Sequence, residues 1–199
     1  MSKLSRNFTR TLKRLLAKLV WGISPYRHVH PPTELHGSRI FIGAPHTSNW
    51  DFVLMLAVAW ELDIKMHWLG KKEMFPKWAA GLLKRLGGIP VDRKNPAGLV
   101  RQIITTAKTE KDFALVITPE GTRRGDGWKS GFYRIARAAD MPVTLGYIDK
   151  TTRTAGLGKT ITLTGDVKAD MDEIRAFYKD KSGIHPERRT EPYLREETR

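Results

Sequence analysis

An α/β layer fold with a mostly parallel or mixed central sheet flanked by helices is predicted for this chain. Three observations predict it. Apolar, β-rich runs occur at residues 39–44 (RIFIGA), 113–118 (FALVIT) and 142–148 (PVTLGYI). Stretches of helical length and period lie between them, and Gly or Pro marks most of the junctions. At 199 residues and 22.7 kDa the chain is long enough for one domain with a real core.

The elements follow in order. Residues 4–23 read as an amphipathic helix ended by Ser24-Pro25, and Pro31-Pro32 keeps the next connection extended. Strand 39–44 precedes an apolar helix at 49–60 and a second strand at 64–69. A helix at 76–86 stops at Gly87-Gly88, and a short strand follows at 89–91. Residues 96–109 form a helix with Pro near its start, leading to the buried strand 113–118. Helix 129–139 and strand 142–148 come next, then a Gly-rich turn, strand 160–164 and helix 170–179. Three parts are expected: an amphipathic surface helix (1–23), a main folded domain (24–181) and a charged flexible tail (182–199).

The formal charge of +14 and pI near 10.1 call for an anionic partner. Lys3, Arg6, Arg10, Lys13, Arg14, Lys18 and Arg27 fall within the first 33 residues, which hold no acid. Placed at 100° per residue, Leu4, Leu15, Phe8, Leu19, Leu12, Ile23, Leu16 and Val20 share an arc of about 160°. Lys13, Arg6, Arg10, Lys3, Arg14 and Lys18 fill the rest. Ordinary core-packed surface helices mix both charge signs; this pattern is that of a helix lying on anionic lipid. The longest apolar run, residues 52–60, is far short of the roughly 20 needed to span a bilayer. Basic residues interrupt the N-terminal apolar positions, so no secretory signal is expected. The expected location is the cytoplasmic face of the cell membrane, peripheral or monotopic. Nucleic acid is not expected as a partner, because the aromatic–basic interleaving of single-strand binders is missing. With no cysteine, disulfides, thiolate metal sites and a thiol nucleophile are excluded.

Two loops after predicted strands carry polar groups suited to chemistry. In residues 45–51, PHTSNWD, a carboxylate at Asp51 can orient His46 as a general base. Five residues along one helix would turn the two side chains about 140° apart, so His46 must lie in the loop and fold back. The plainer alternative is a capping box, with Ser48 as N-cap and Asp51 at the third helical position. Residues 118–125, TPEGTRRG, offer glycines, a hydroxyl and two guanidiniums for a phosphate monoester. A third loop, residues 87–93, is a tight turn leading to Arg93. Two patterns are set aside. Residues 156–160 (GLGKT) imitate a phosphate loop but lack its first glycine and following helix. His28, His30 and His36 have no carboxylate cluster near them in sequence, so no metal site is expected.

Taken together, these residues resemble the glycerolipid acyltransferases, the lysophosphatidic acid acyltransferase family. His46 and Asp51 match its histidine, four residues, aspartate motif. Residues 88–93 match its glycine-rich turn ending in arginine, residues 119–123 its Pro-Glu-Gly-Thr-Arg motif, and residues 141–145 its proline-containing apolar strand. Thr118 and Arg124 depart from the family's third motif, where an aromatic and a serine are usual.

The resemblance implies acyl transfer from acyl-CoA or acyl carrier protein to lysophosphatidic acid, with no cofactor. In that reading His46 is the base, Asp51 orients it, and Arg93 and Arg123 hold the acceptor phosphate. Gly121 and Thr122 shape the loop, and Glu120 orients Arg123 or the acceptor. Arg124, Lys71 and Lys72 are further phosphate candidates by charge. A different lyso-lipid acceptor is the nearest alternative. A non-catalytic basic binder, with PHTSNWD only a cap, is the more distant one.

Overall fold

The computed structural model describes residues 3–91, 96–123 and 127–198. The first half holds α1 (Lys3–Ile23), β1 (Arg27–Val29), β2 (Arg39–Gly43), α2 (Trp50–Glu61), β3 (Met66–Lys71), α3 (Ala80–Arg85) and β4 (Gly88–Val91). The second holds α4 (Pro96–Thr109), β5 (Ala114–Ile117), α5 (Gly131–Ala139), β6 (Val143–Asp149), β7 (Thr154–Ile161) and α6 (Val167–Tyr178). Short 3-10 turns lie at Lys72–Met74, Pro186–Arg188 and Arg195–Thr198. The strands form one sheet in the order β1-β7-β6-β2-β5-β3-β4. All neighbours run parallel except the β6–β7 hairpin. The predicted mixed α/β layer fold is therefore present.

Alternation along the strands builds two cores. Ile40, Ile42 and Leu115 face one side with Phe132 of α5 and Ile174 of α6. Phe41 and Val116 face the other with Leu56, Val58 and Ala59 of α2. Helix α2 is apolar nearly all round because it is covered twice, by the sheet and by α1.

Helix α1 packs on the body with the side centred on Ala17 and Trp21, which meets its leucine arc at Val20. Ala17 is 1% exposed, Val20 and Trp21 join the core, and Arg10 pairs with Asp63 at 2.9 Å. Phe8, Leu12, Leu15, Leu19 and Ile23 point outward, each more than 45% exposed. Among the described residues no helix is long and apolar enough to cross a membrane.

Two strands differ from expectation. Strand β1 was not anticipated; its three residues, RHV, carry no alternating pattern, and parallel pairing with β7 makes it a strand. Strand β7 begins at Thr154, so Gly156 and Gly158 lie inside a strand and not in a turn. Both are demanded by close approach. A Cβ on Gly156 would sit 2.1 Å from the Val29 carbonyl oxygen, and one on Gly158 2.3 Å from the Phe177 ring.

The charged segment from Ser182 is stitched to the body, not frayed. Leu194 is fully buried, Glu197 pairs with Arg175 at 2.8 Å, and the backbone N–H groups of Ile184 and His185 both donate to Thr47 Oγ1. Its charges find partners in the fold, which composition alone does not disclose.

Candidate active site

Strands β2 and β5 are parallel neighbours, with Ile42 opposite Ile117. The loops that leave their carboxyl ends therefore emerge side by side, as is usual for ligand sites in open α/β sheets. The first carries His46, the second Glu120 to Arg123.

In the first loop the chain enters through a cis Ala44–Pro45 bond and folds His46 back toward the start of α2. His46 Nδ1 lies 3.0 Å from Asp51 Oδ2. The same oxygen accepts the backbone N–H groups of Thr47 (2.7 Å) and Ser48 (2.8 Å). Asp51 is thus fixed by the loop it organises, and it fixes the imidazole in turn. The capping alternative is partly realised as well. Asn49, one residue later than expected, holds the N-cap position without a side-chain cap bond, and Ser48 Oγ accepts the Trp50 N–H at 3.2 Å. One carboxylate serves the helix start and the histidine together. With Nδ1–H donating to Asp51, Nε2 on the far side of the ring is the basic position.

In the second loop, Thr118 to Gly121 form a β-turn with Pro119 second, closed by Gly121 N–H donating to Thr118 O at 3.0 Å. Gly121 has φ +64, a region that other residues adopt at a cost. The turn drives Glu120 inward, where it is 2% exposed. Its Oε1 accepts the His46 backbone N–H at 3.1 Å, so Glu120 ties one loop to the other. Burial pushes its carboxyl up to about 7, with the Asp51 charge adding to the rise, while the His46 N–H bond and the nearby imidazole oppose it. Arg123 swings across to donate from Nη1 to Asn49 Oδ1 at the head of α2.

These groups share a cleft of about 1360 Å³. His46, Asp51, Gly121, Thr122, Arg123 and Lys71 give it polar walls, while Phe41, Leu54, Val58, Met66, Trp68 and Leu157 give it apolar ones. Of the expected site residues, His46, Asp51, Glu120, Gly121, Thr122 and Arg123 are therefore brought together. Lys71 joins them, and Lys72 opens the 3-10 turn beside it. Arg93 and Arg124 lie outside the described residues. Arg188 was not anticipated. It lines the cleft and donates to the Thr47 carbonyl at 3.3 Å, reaching it from the segment read as a free tail.

His28 and His30 meet in space what they lack in sequence. No carboxylate is near them in sequence, but the last turn of α2 delivers Glu61, whose Oε2 lies 2.9 Å from His28 Nδ1.

Comparison with known families settles the class. The family model described as Acyltransferase matches residues 27–145, a span that contains both loops. The chain belongs to the acyltransferase family. A 1-acyl-sn-glycerol-3-phosphate acyltransferase of Bacillus subtilis (strain 168) is 31% identical over 140 residues, covering 68% of this acyltransferase and 67% of that protein. A protein of the same name from Streptococcus pneumoniae (strain ATCC BAA-255 / R6) is 29% identical over 182 residues, covering 84% and 67%. The crystal structure of the 1-acyl-sn-glycerophosphate (LPA) acyltransferase PlsC from Thermotoga maritima superposes with a TM-score of 0.59 at 15% identity. It covers 89% of this chain and 78% of that one, and it shares the fold.

Proposed function

We propose that this acyltransferase moves a fatty acyl group from a thioester, acyl-CoA or acyl carrier protein, to the free hydroxyl of 1-acyl-glycerol-3-phosphate, giving phosphatidic acid. The observation that carries the reading is the His46–Asp51 hydrogen bond on the wall of a cleft that is cationic at one part and apolar at another. The names of the two bacterial relatives support the choice of acceptor.

Asp51 holds Nδ1, leaving Nε2 to take the acceptor's hydroxyl proton. The freed oxygen bonds to the thioester carbonyl carbon, the carbon–sulfur bond breaks, and the imidazolium returns the proton to the departing thiolate. No acyl-enzyme is required, and the chain has no cysteine to form a thioester one. Arg123 and Arg93 hold the acceptor phosphate, a dianion suited to guanidinium forks. Glu120 positions the backbone of His46 by accepting its N–H. The apolar wall accommodates the acyl chain.

The outward leucine face of α1 seats the enzyme on anionic lipid at the cytoplasmic face of the cell membrane, where its substrate resides. The test is direct. Purified protein on anionic vesicles, given 1-acyl-glycerol-3-phosphate and a labelled acyl thioester, should form labelled phosphatidic acid. Label passing only to lyso-lipids without a phosphate monoester would overturn the acceptor.

A further inference from the structure

We propose that His28, His30 and Glu61 form a binding site for a divalent transition-metal ion of zinc-like preference, remote in role from acyl transfer. His28 lies on β1 and His30 just past its end, and their ring centroids are 4.5 Å apart. Glu61 arrives from the last turn of α2. One ligand atom from each of the three lies within 4.8 Å of the others. His28 Nδ1 lies 2.9 Å from Glu61 Oε2 and His30 Nε2 3.7 Å from Glu61 Oε1, so the two imidazoles face different oxygens of one carboxylate. Zinc bonds of about 2.0–2.1 Å at tetrahedral angles require ligand edges of roughly 3.3 Å, so ligand atoms that lie within 4.8 Å of one another need only side-chain rotation to close on an ion. Two imidazoles and one carboxylate are a borderline-soft donor set that suits zinc better than calcium or magnesium.

The surroundings resemble the outer shell that metal sites need. Trp21 Nε1 donates to Glu61 Oε2 at 2.8 Å, which orients the carboxylate. The Trp21 ring stacks on His28 at 5.4 Å with the planes 1° apart, which fixes the imidazole. His28 is 5% exposed in its side chain, and its Nε2 is buried with no hydrogen-bond partner among the described residues. With Nδ1 on the metal the proton sits on Nε2, and the metal bond must outweigh the cost of that buried donor. His30, 66% exposed in its side chain, leaves an approach from solvent. A bound ion would clip together β1, the end of α2 and, through Trp21, the last turn of α1.

Tag-free full-length protein, stripped by chelator and dialysed, is titrated with zinc chloride by calorimetry, with thermal unfolding followed in parallel. The expected result is one zinc per chain and a rise in Tm. His30→Ala, on an exposed ring, and Glu61→Gln should each weaken binding roughly tenfold or more, with the circular dichroism spectrum unchanged. His46→Ala should bind zinc as the parent does. Absence of saturable binding, binding that survives both His30→Ala and Glu61→Gln, or binding lost only in His46→Ala would overturn the site. Because zinc binding is read without turnover, its failure leaves the acyl-transfer reading standing.

Discussion

Asp51 stands on the wall of the cleft and Glu120 is buried beside the His46 backbone, and their surroundings assign them different work. Asp51 Oδ2 accepts three hydrogen bonds from the turn at the start of α2. Glu120 is buried, and desolvation outweighs the backbone N–H groups that its carboxyl accepts, so its acidity is weakened. That difference predicts a pH-dependent stability. Below about 4.5, Glu120 is protonated in both the folded and unfolded chain and costs nothing. As pH rises from 4.5 to about 7 the unfolded chain loses the proton first, so folding loses stability. Above that range the cost is full, on the order of 3 kcal/mol. Glu120→Gln, which keeps an oxygen for the His46 N–H, should therefore be more stable than the parent at pH 8. The difference should shrink toward pH 4.5, and denaturant titrations of both proteins across that range would read it. A difference independent of pH would mean that burial does not govern this carboxyl. The His46–Asp51 pairing was legible in sequence from spacing and loop chemistry. Glu120's role was not, because the turn that drives it inward depends on the neighbouring strand.

Helix α1 shows how a sequence pattern becomes a surface. Its leucine arc was readable from period alone, but which side met the body was not. The contact uses Ala17, Val20 and Trp21, and the Arg10–Asp63 pair adds a tie at the end of α2. Outward residues can thus be changed without disturbing the packing. Leu12→Glu with Leu19→Glu should fold as the parent does yet lose binding to anionic vesicles in flotation, since it removes apolar burial and adds repulsion. Retained flotation at moderate salt would place the membrane contact elsewhere. Other elements were less legible for physical reasons. Gly156 and Gly158 look like turn residues, yet they sit in β7 because Val29 and Phe177 leave no room for a Cβ. Strand β1 is defined by pairing, not by composition.

Across the whole molecule, parallel strand order brings together loops that lie 74 residues apart in sequence at their closest tie, His46 to Glu120. The sheet supplies position; α2 supplies both an apolar wall and the helix start that holds Asp51. The C-terminal segment completes the frame, since Ile184 and His185 donate to Thr47 and Arg188 reaches the cleft. Its many charges suggested a tail, but Leu194 is anchored at 0% exposure. Leu194→Ala should cost roughly 2–5 kcal/mol of unfolding free energy, measured by denaturant titration. A loss within about 0.5 kcal/mol, the range of surface changes, would show that the segment is not part of the cooperative unit. The central claim, however, concerns one imidazole. The measurement that tests it most directly is turnover of labelled acyl thioester and 1-acyl-glycerol-3-phosphate by purified His46→Ala whose circular dichroism matches the parent. Phosphatidic acid formation should fall by at least about a hundredfold, the lower range for losing a general base; turnover equal to the parent's would contradict the account.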